Sequence, residues 1–113
     1  MFSLSSSHCF LLYSQPTDMR KSFDALCGIV RNELKRDPLC GEVFIFLNRG
    51  RTHIKLLHWE SGGLVLYYKR LEKGTFAPPA LRGNNQSLSY PQLVLMTEGI
   101  MIQKSTQKRR WCG

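Results

Sequence analysis

Three runs rich in β-forming residues stand close together in this chain: VFIFLN (43–48), THIKLLHW (52–59) and LVLYYKRL (64–71). The links between them, RGR and ESGG, are short and carry glycine. Parallel neighbours need a crossover of a dozen or more residues, so these strands are expected to run antiparallel as a three-stranded meander. Their side-chain pattern sets a second condition. Val43, Ile45 and Leu47 fall on one face and Phe44 and Phe46 on the other, while Ile54 and Leu56 oppose Leu57 and Trp59. Both faces therefore carry apolar groups. One can bury against a helix. The other needs its own cover: a second helix, a loop or another protein.

The flanking segments supply the rest of an α+β domain. HCFLLY (8–13) reads as a short buried strand. Met19, Phe23, Leu26, Val30 and Leu34 form one apolar stripe, which predicts a helix over 18–35. Thr17 or Asp18 can cap its start, and Asp37-Pro38 ends it, because the residue before proline avoids the α region. Residues 74–88 read as a loop. Ser89 and Gln92 then make a capping box, with Leu88 and Leu93 as a hydrophobic staple and Gly99 as a stop. The expected fold is a small, mostly antiparallel β-meander sheet packed by a long N-terminal helix and a shorter C-terminal helix. It forms a single domain over 1–102, followed by a basic, flexible tail over 103–113.

A chain of 113 residues suits one domain with a modest core. No run approaches 18 apolar residues, so no membrane span is expected. The opening MFSLSSSHCFLLYS has neither a basic n-region nor a long apolar stretch, so it does not read as a signal peptide. Four cysteines without a CxxC pair and three histidines without zinc spacing point to reduced thiols in the cytoplasm, with no metal or cofactor.

Charge narrows the function. Sixteen Lys and Arg face eight Asp and Glu, a formal net charge of +8. That is the electrostatic footprint of a nucleic-acid binder, against the plainer alternative of solubility. The cations also cluster. Arg20 and Lys21 fall in the expected first helical turn, where they oppose the helix dipole yet sit beside N–H groups suited to phosphate. The plainer alternative pairs Arg20 with Asp24 and leaves Lys21 solvated. Arg49, Arg51 and Lys55 surround and follow the first tight turn, and Lys69, Arg70 and Lys73 close the third strand. A meander would join these groups into one basic zone. Trp59, Tyr67 and Tyr68 are interleaved with them, and cations among aromatics are one way to hold single strands. The competing reading places Trp59 and one tyrosine in the core, with the cations reaching out to water. Asp18, Asp24, Glu60 and Glu72 form no spaced pair or triad, and no phosphate loop, Rossmann fingerprint or nucleophile elbow occurs, so no enzyme is expected.

PTDMRKSFDAL (16–26), DPLCGEVFIFLNR (37–49), IKLLHWESGGLVLYYKRLEKGTF (54–76) and LSYPQLVLMTEGI (88–100) together resemble the TnpB-type accessory protein of the insertion-sequence-66 family of bacterial transposable elements. The resemblance keeps order and spacing from about residue 8 to residue 100, and the tail after 102 lies outside it. The chain departs from the family at Ser22, where glycine is usual, and at NRGRTH, where the family has a turn like R-R-G-D. The resemblance implies a small non-catalytic protein encoded beside a larger transposase that holds the catalytic carboxylates. Two readings follow. In one, the protein binds DNA through Arg20, Lys21, Arg49, Arg51, Lys55, Lys69, Arg70 and Lys73 and assists the transposase. In the other, an apolar sheet face docks the transposase or a second copy of the chain, forming a homo-oligomer, without direct DNA binding.

Overall fold

The computed structural model describes residues 8–78 and 85–105. The β-rich runs form β2 (Val43–Leu47), β3 (His53–Glu60) and β4 (Gly63–Arg70), each antiparallel to the next in chain order. Glu60 pairs with Gly63, so Ser61 and Gly62 alone make the second turn. Both take positive φ, 32° and 89°, the backbone that matches the twist of a two-residue hairpin.

The sheet is larger than three strands. β1 (Phe10–Leu12) lies parallel to β2, and β5 (Gln86–Leu88) lies antiparallel to β1, giving the order β4-β3-β2-β1-β5. β1 is thus an inner strand, and all three of its residues are buried. The segment 74–88, expected as a loop, contributes β5; its residues 79–84 lie outside the described residues.

Each face has its cover. Leu11, Phe44, Phe46 and Leu57 pack against Leu26, Cys27 and Val30 of α1 (Phe23–Asn32) and against Leu34. On the other face Phe10, Leu12, Val43, Ile45, Ile54 and Leu56 pack against Phe76 and against Leu93 and Met96 of α2 (Tyr90–Ser105). The apolar face proposed as a docking surface is therefore filled by the chain's own second helix and loop. Ala77 ties the two covers together by donating its N–H to the Met96 carbonyl at 3.3 Å.

The helices depart from expectation at both ends of the stripe. α1 has 10 residues and starts at Phe23, not Asp18. A helix begun at Asp18 would offer the Met19 and Lys21 carbonyls to backbone N–H groups a turn later. Here the Lys55 ammonium takes both, and the Thr17 N–H is drawn to the Leu47 carbonyl at 2.8 Å. The C-terminus closes before Pro38. Lys35 turns left-handed (φ 58°) and the Arg36 N–H reaches back to the Val30 carbonyl at 3.0 Å, which closes the helix end around a left-handed residue.

α2 opens as its capping box predicts. The Ser89 N–H donates to Gln92 Oε1 at 2.8 Å and the Gln92 N–H to Ser89 Oγ at 3.2 Å. Leu88 and Leu93 are both buried in one cluster, as a staple requires. Gly99 does not stop the helix, which runs on to Ser105, so α2 with 16 residues is longer than α1 with 10, the reverse of the expected long N-terminal and shorter C-terminal helix. Residues 103–105 of the expected tail therefore continue α2, and 106–113 lie outside the described residues. Cys9, Cys27 and Cys40 are free thiols, and Cys112 lies outside the described residues. Among the described residues no helix is long and apolar enough to cross a membrane.

Candidate nucleic-acid interface

Three segments converge at one end of the sheet. The first is the link before α1, held by the Thr17 bond to Leu47. The second is the β2–β3 turn, residues 48–52. The third follows β4: the Leu71 N–H donates to the Thr52 carbonyl at 2.9 Å, and the Phe76 N–H to the Arg51 carbonyl at 2.7 Å. Those bonds bracket Lys73 beside the turn. Within the sheet, Lys69 pairs with Ile54 and Arg70 with His53. Arg49, Arg51, Lys69, Arg70 and Lys73 are all exposed and gathered here. Repulsion among like charges this close costs stability unless an anion offsets it.

Asn48 organises the turn. Its Oδ1 accepts the N–H groups of Thr52 (2.9 Å) and His53 (3.0 Å), which fixes the amide orientation. Its Nδ2 then faces Thr52 Oγ1 and His53 Nδ1, each at 3.1 Å. A donor aimed at Nδ1 requires a lone pair there, so the ring proton of the neutral imidazole sits on Nε2. Thr52 Oγ1, 2.8 Å from Nδ1, can donate to the same lone pair. His53, Asn48, Arg49 and Gly50 line one side of an open cleft of about 520 Å³, and Pro16 to Met19 line the other. His53 and Asn48 were not among the expected site residues. The signal for Asn48 was an Asn opening a tight turn, where its short amide can bond backbone ahead of it.

The remaining cations divide. Arg20 is exposed but engaged: its Nε lies 3.1 Å from both Asp18 oxygens and its Nη2 is 2.7 Å from Oδ2. Its partner is Asp18, not Asp24. The Arg20 hydrogen bonds hold the Asp18 carboxyl down at about 2, and Asp18 in turn raises the Arg20 guanidinium above its usual value. Lys21 is exposed, in the link before α1 and not in a helical turn. Lys55 is the exception. It is 5% exposed, and its Nζ donates to the carbonyls of Met19 (2.8 Å) and Lys21 (2.7 Å) beneath that link. Its charge is spent on the loop and is not offered to solvent. Arg70 keeps a loose, exposed contact with Glu72 at 3.4 Å.

The aromatics also divide. Tyr67 packs against the core under α2, whereas Tyr68 is exposed. Trp59 is half-buried at the far end of β3, in a hollow with His8, Gly41, His58, Glu60 and Ser61. There the His8 and His58 rings meet edge to face at 4.8 Å, and His58 Nε2 lies 3.8 Å from Glu60 Oε2. Among the described residues no three His, Cys, Asp or Glu side chains are grouped to hold a metal ion. Burial raises the Cys27 and Cys40 thiols above their ordinary values, so neither is primed as a nucleophile.

Comparison with known proteins matches most of this chain to one family. The model for the family described as IS66 Orf2 like protein covers residues 8–107, beyond the residue-100 limit of the resemblance seen in the sequence. Two uncharacterized proteins of Sinorhizobium fredii (strain NBRC 101917 / NGR234) are similar. The one designated y4jC is 28% identical over 90 residues, 80% of this chain and 77% of its own. The one designated y4hO is 36% identical over 84 residues, 74% of this chain and 73% of its own. No solved structure matches. The ordered run of motifs from the buried first strand through α2 thus belongs to a transposition-associated lineage, and the chain is a member of the IS66 Orf2 like family.

Proposed function

We propose that this protein is a non-catalytic accessory factor of insertion-sequence transposition that binds DNA through the basic end of its sheet and assists the separate transposase of the same element. The observation that carries this reading is the gathering of exposed Arg49, Arg51, Lys69, Arg70 and Lys73 on one end, with Lys21 nearby on the link before α1. Lys55 leaves the set of binding residues and becomes the post that supports the link. Phosphates would supply most of the affinity, so binding falls steeply with salt. A protein contact with the transposase has no open apolar sheet face to use, because α2 and Phe76 fill it. The outer edge of β4 is what supports such a contact, since among the described residues no strand pairs there.

The test is a titration of the purified protein against labelled element-end DNA and a scrambled duplex, at about 50 and about 200 mM salt. Binding that weakens at least ten-fold across that range and favours the end sequence is expected. Absence of binding to either duplex, and to the separated strands, at the lower salt would remove the DNA reading and leave the β4 edge as the working surface.

A further inference from the structure

Tyr67 and Tyr68 are neighbours in β4 and so lie on opposite faces of the sheet. Tyr67 goes to the core, while Tyr68 keeps 51% of its surface open. An aromatic body so exposed forgoes the burial that usually stabilises it. Its position is nonetheless defined. Lys55 is its direct cross-strand partner, with Nζ 4.7 Å from the ring centroid, and that ammonium is itself held by two carbonyls. The His53 ring lies 5.9 Å away, inclined by 33°, and is oriented by Asn48 and Thr52. Arg70, the cross-strand partner of His53, shares this face of the strand.

We propose that Tyr68, with His53 beside it, is a stacking platform for an unpaired nucleobase, so that single-stranded DNA is the preferred ligand of this end of the sheet. The proposal rests on the reading of the basic end as a DNA surface and makes that reading narrower. In a duplex each base has both faces covered by its neighbours, and only an unpaired base has a π-face to give. A ring already fixed by a buried cation loses little freedom when a base settles on it. Arg70 on the same face and Lys73 just past the strand meet the backbone phosphates, which is the pairing of stack and charge that single-strand sites use. Stacking tolerates any base, so the platform adds affinity for unpaired strands without reading their sequence.

The experiment measures the full chain against a fluorescent single-stranded oligonucleotide and a duplex of equal length. It compares the natural protein with Tyr68→Ala, Tyr68→Phe and the triple variant Lys69→Gln, Arg70→Gln, Lys73→Gln, each checked for folding by circular dichroism. Tyr68→Ala should weaken single-strand binding about ten-fold and leave duplex binding unchanged, and Tyr68→Phe should retain both. A 2-aminopurine in the single strand should be quenched by the natural protein and by Tyr68→Phe, and not by Tyr68→Ala. The triple variant should lose affinity for both ligands. Equal weakening of single strand and duplex by Tyr68→Ala, or unchanged quenching, overturns the platform while the basic surface stands. Loss in the triple variant alone does the same. No binding of either ligand by the natural protein overturns the platform together with the DNA reading.

Discussion

At Lys55 a cation has left the surface. Its cross-strand partners, Phe46 on one side and Tyr68 on the other, flank an ammonium that closes over two carbonyls contributed by residues 34 and 36 positions away in sequence. Replacing it with methionine keeps most of the stem and removes the donor. Lys55→Met should therefore lower unfolding stability by about 2–4 kcal/mol, since it strips a charged donor from half-buried acceptors. Urea unfolding followed by circular dichroism checks this. Removing an exposed cation such as Lys69 should change stability by less than about 0.5 kcal/mol. The residue type alone could not distinguish the two lysines. The sequence placed Lys55 in a β-run after the first tight turn, but only the pairing with Phe46 and the long-range return of the 16–21 link show what it meets there. Tyr67 and Tyr68 were likewise inseparable until one face was known to be the core under α2.

Among the elements, those specified by contacts between near neighbours were legible. The capping box and staple of α2 involve residues three to five apart, and the turns of the β2–β4 hairpins involve a few more. β1's parallel pairing and β5 were not legible, because three-residue strands carry almost no periodicity and their partners lie far along the chain. The start of α1 was misplaced for the same reason: the stripe extends to Met19, but tertiary bonds claim the carbonyls there. Its end offers a clean test. Lys35 occupies the left-handed position that glycine fills without steric cost. Lys35→Gly should raise stability by about 0.5–1 kcal/mol, read as an increase of a few degrees in Tm.

For the molecule as a whole, the question raised by the charge is one of location. Three neutral substitutions take the net charge from +8 to +5 (8 − 3) wherever they are made. Lys69→Gln, Arg70→Gln, Lys73→Gln alters the basic end of the sheet. Arg31→Gln, Lys35→Gln, Arg36→Gln alters exposed positions at the close of α1. If the overall field governs binding, the two variants weaken DNA affinity equally. If the sheet end is the contact, the first alone should reduce the slope of log K against log salt, by about 2–3, and the second should leave it near the natural value. The clustering behind this comparison was visible in the sequence as two groups of cations that a meander would join; the seat of Lys73 beside the β2–β3 turn depended on how residues 71–76 fold back along it.

The seat of β1 has a consequence for how the molecule is made. Among the described strands β1 is the first to be synthesised, yet its outer neighbour β5 is the last. Helix α1 and the β2–β4 hairpins can assemble while synthesis continues, and β1 can join β2 once the crossover is complete. Until residues 86–96 emerge, Phe10, Leu12, Val43 and Ile45 lack the Leu88, Leu93 and Met96 side chains that complete their cover on that side. The growing chain thus carries a sticky, incompletely covered sheet between the synthesis of β2 and that of α2. Aggregation or capture by a chaperone would fall in that interval, and a stalled or prematurely terminated product would be its most vulnerable form.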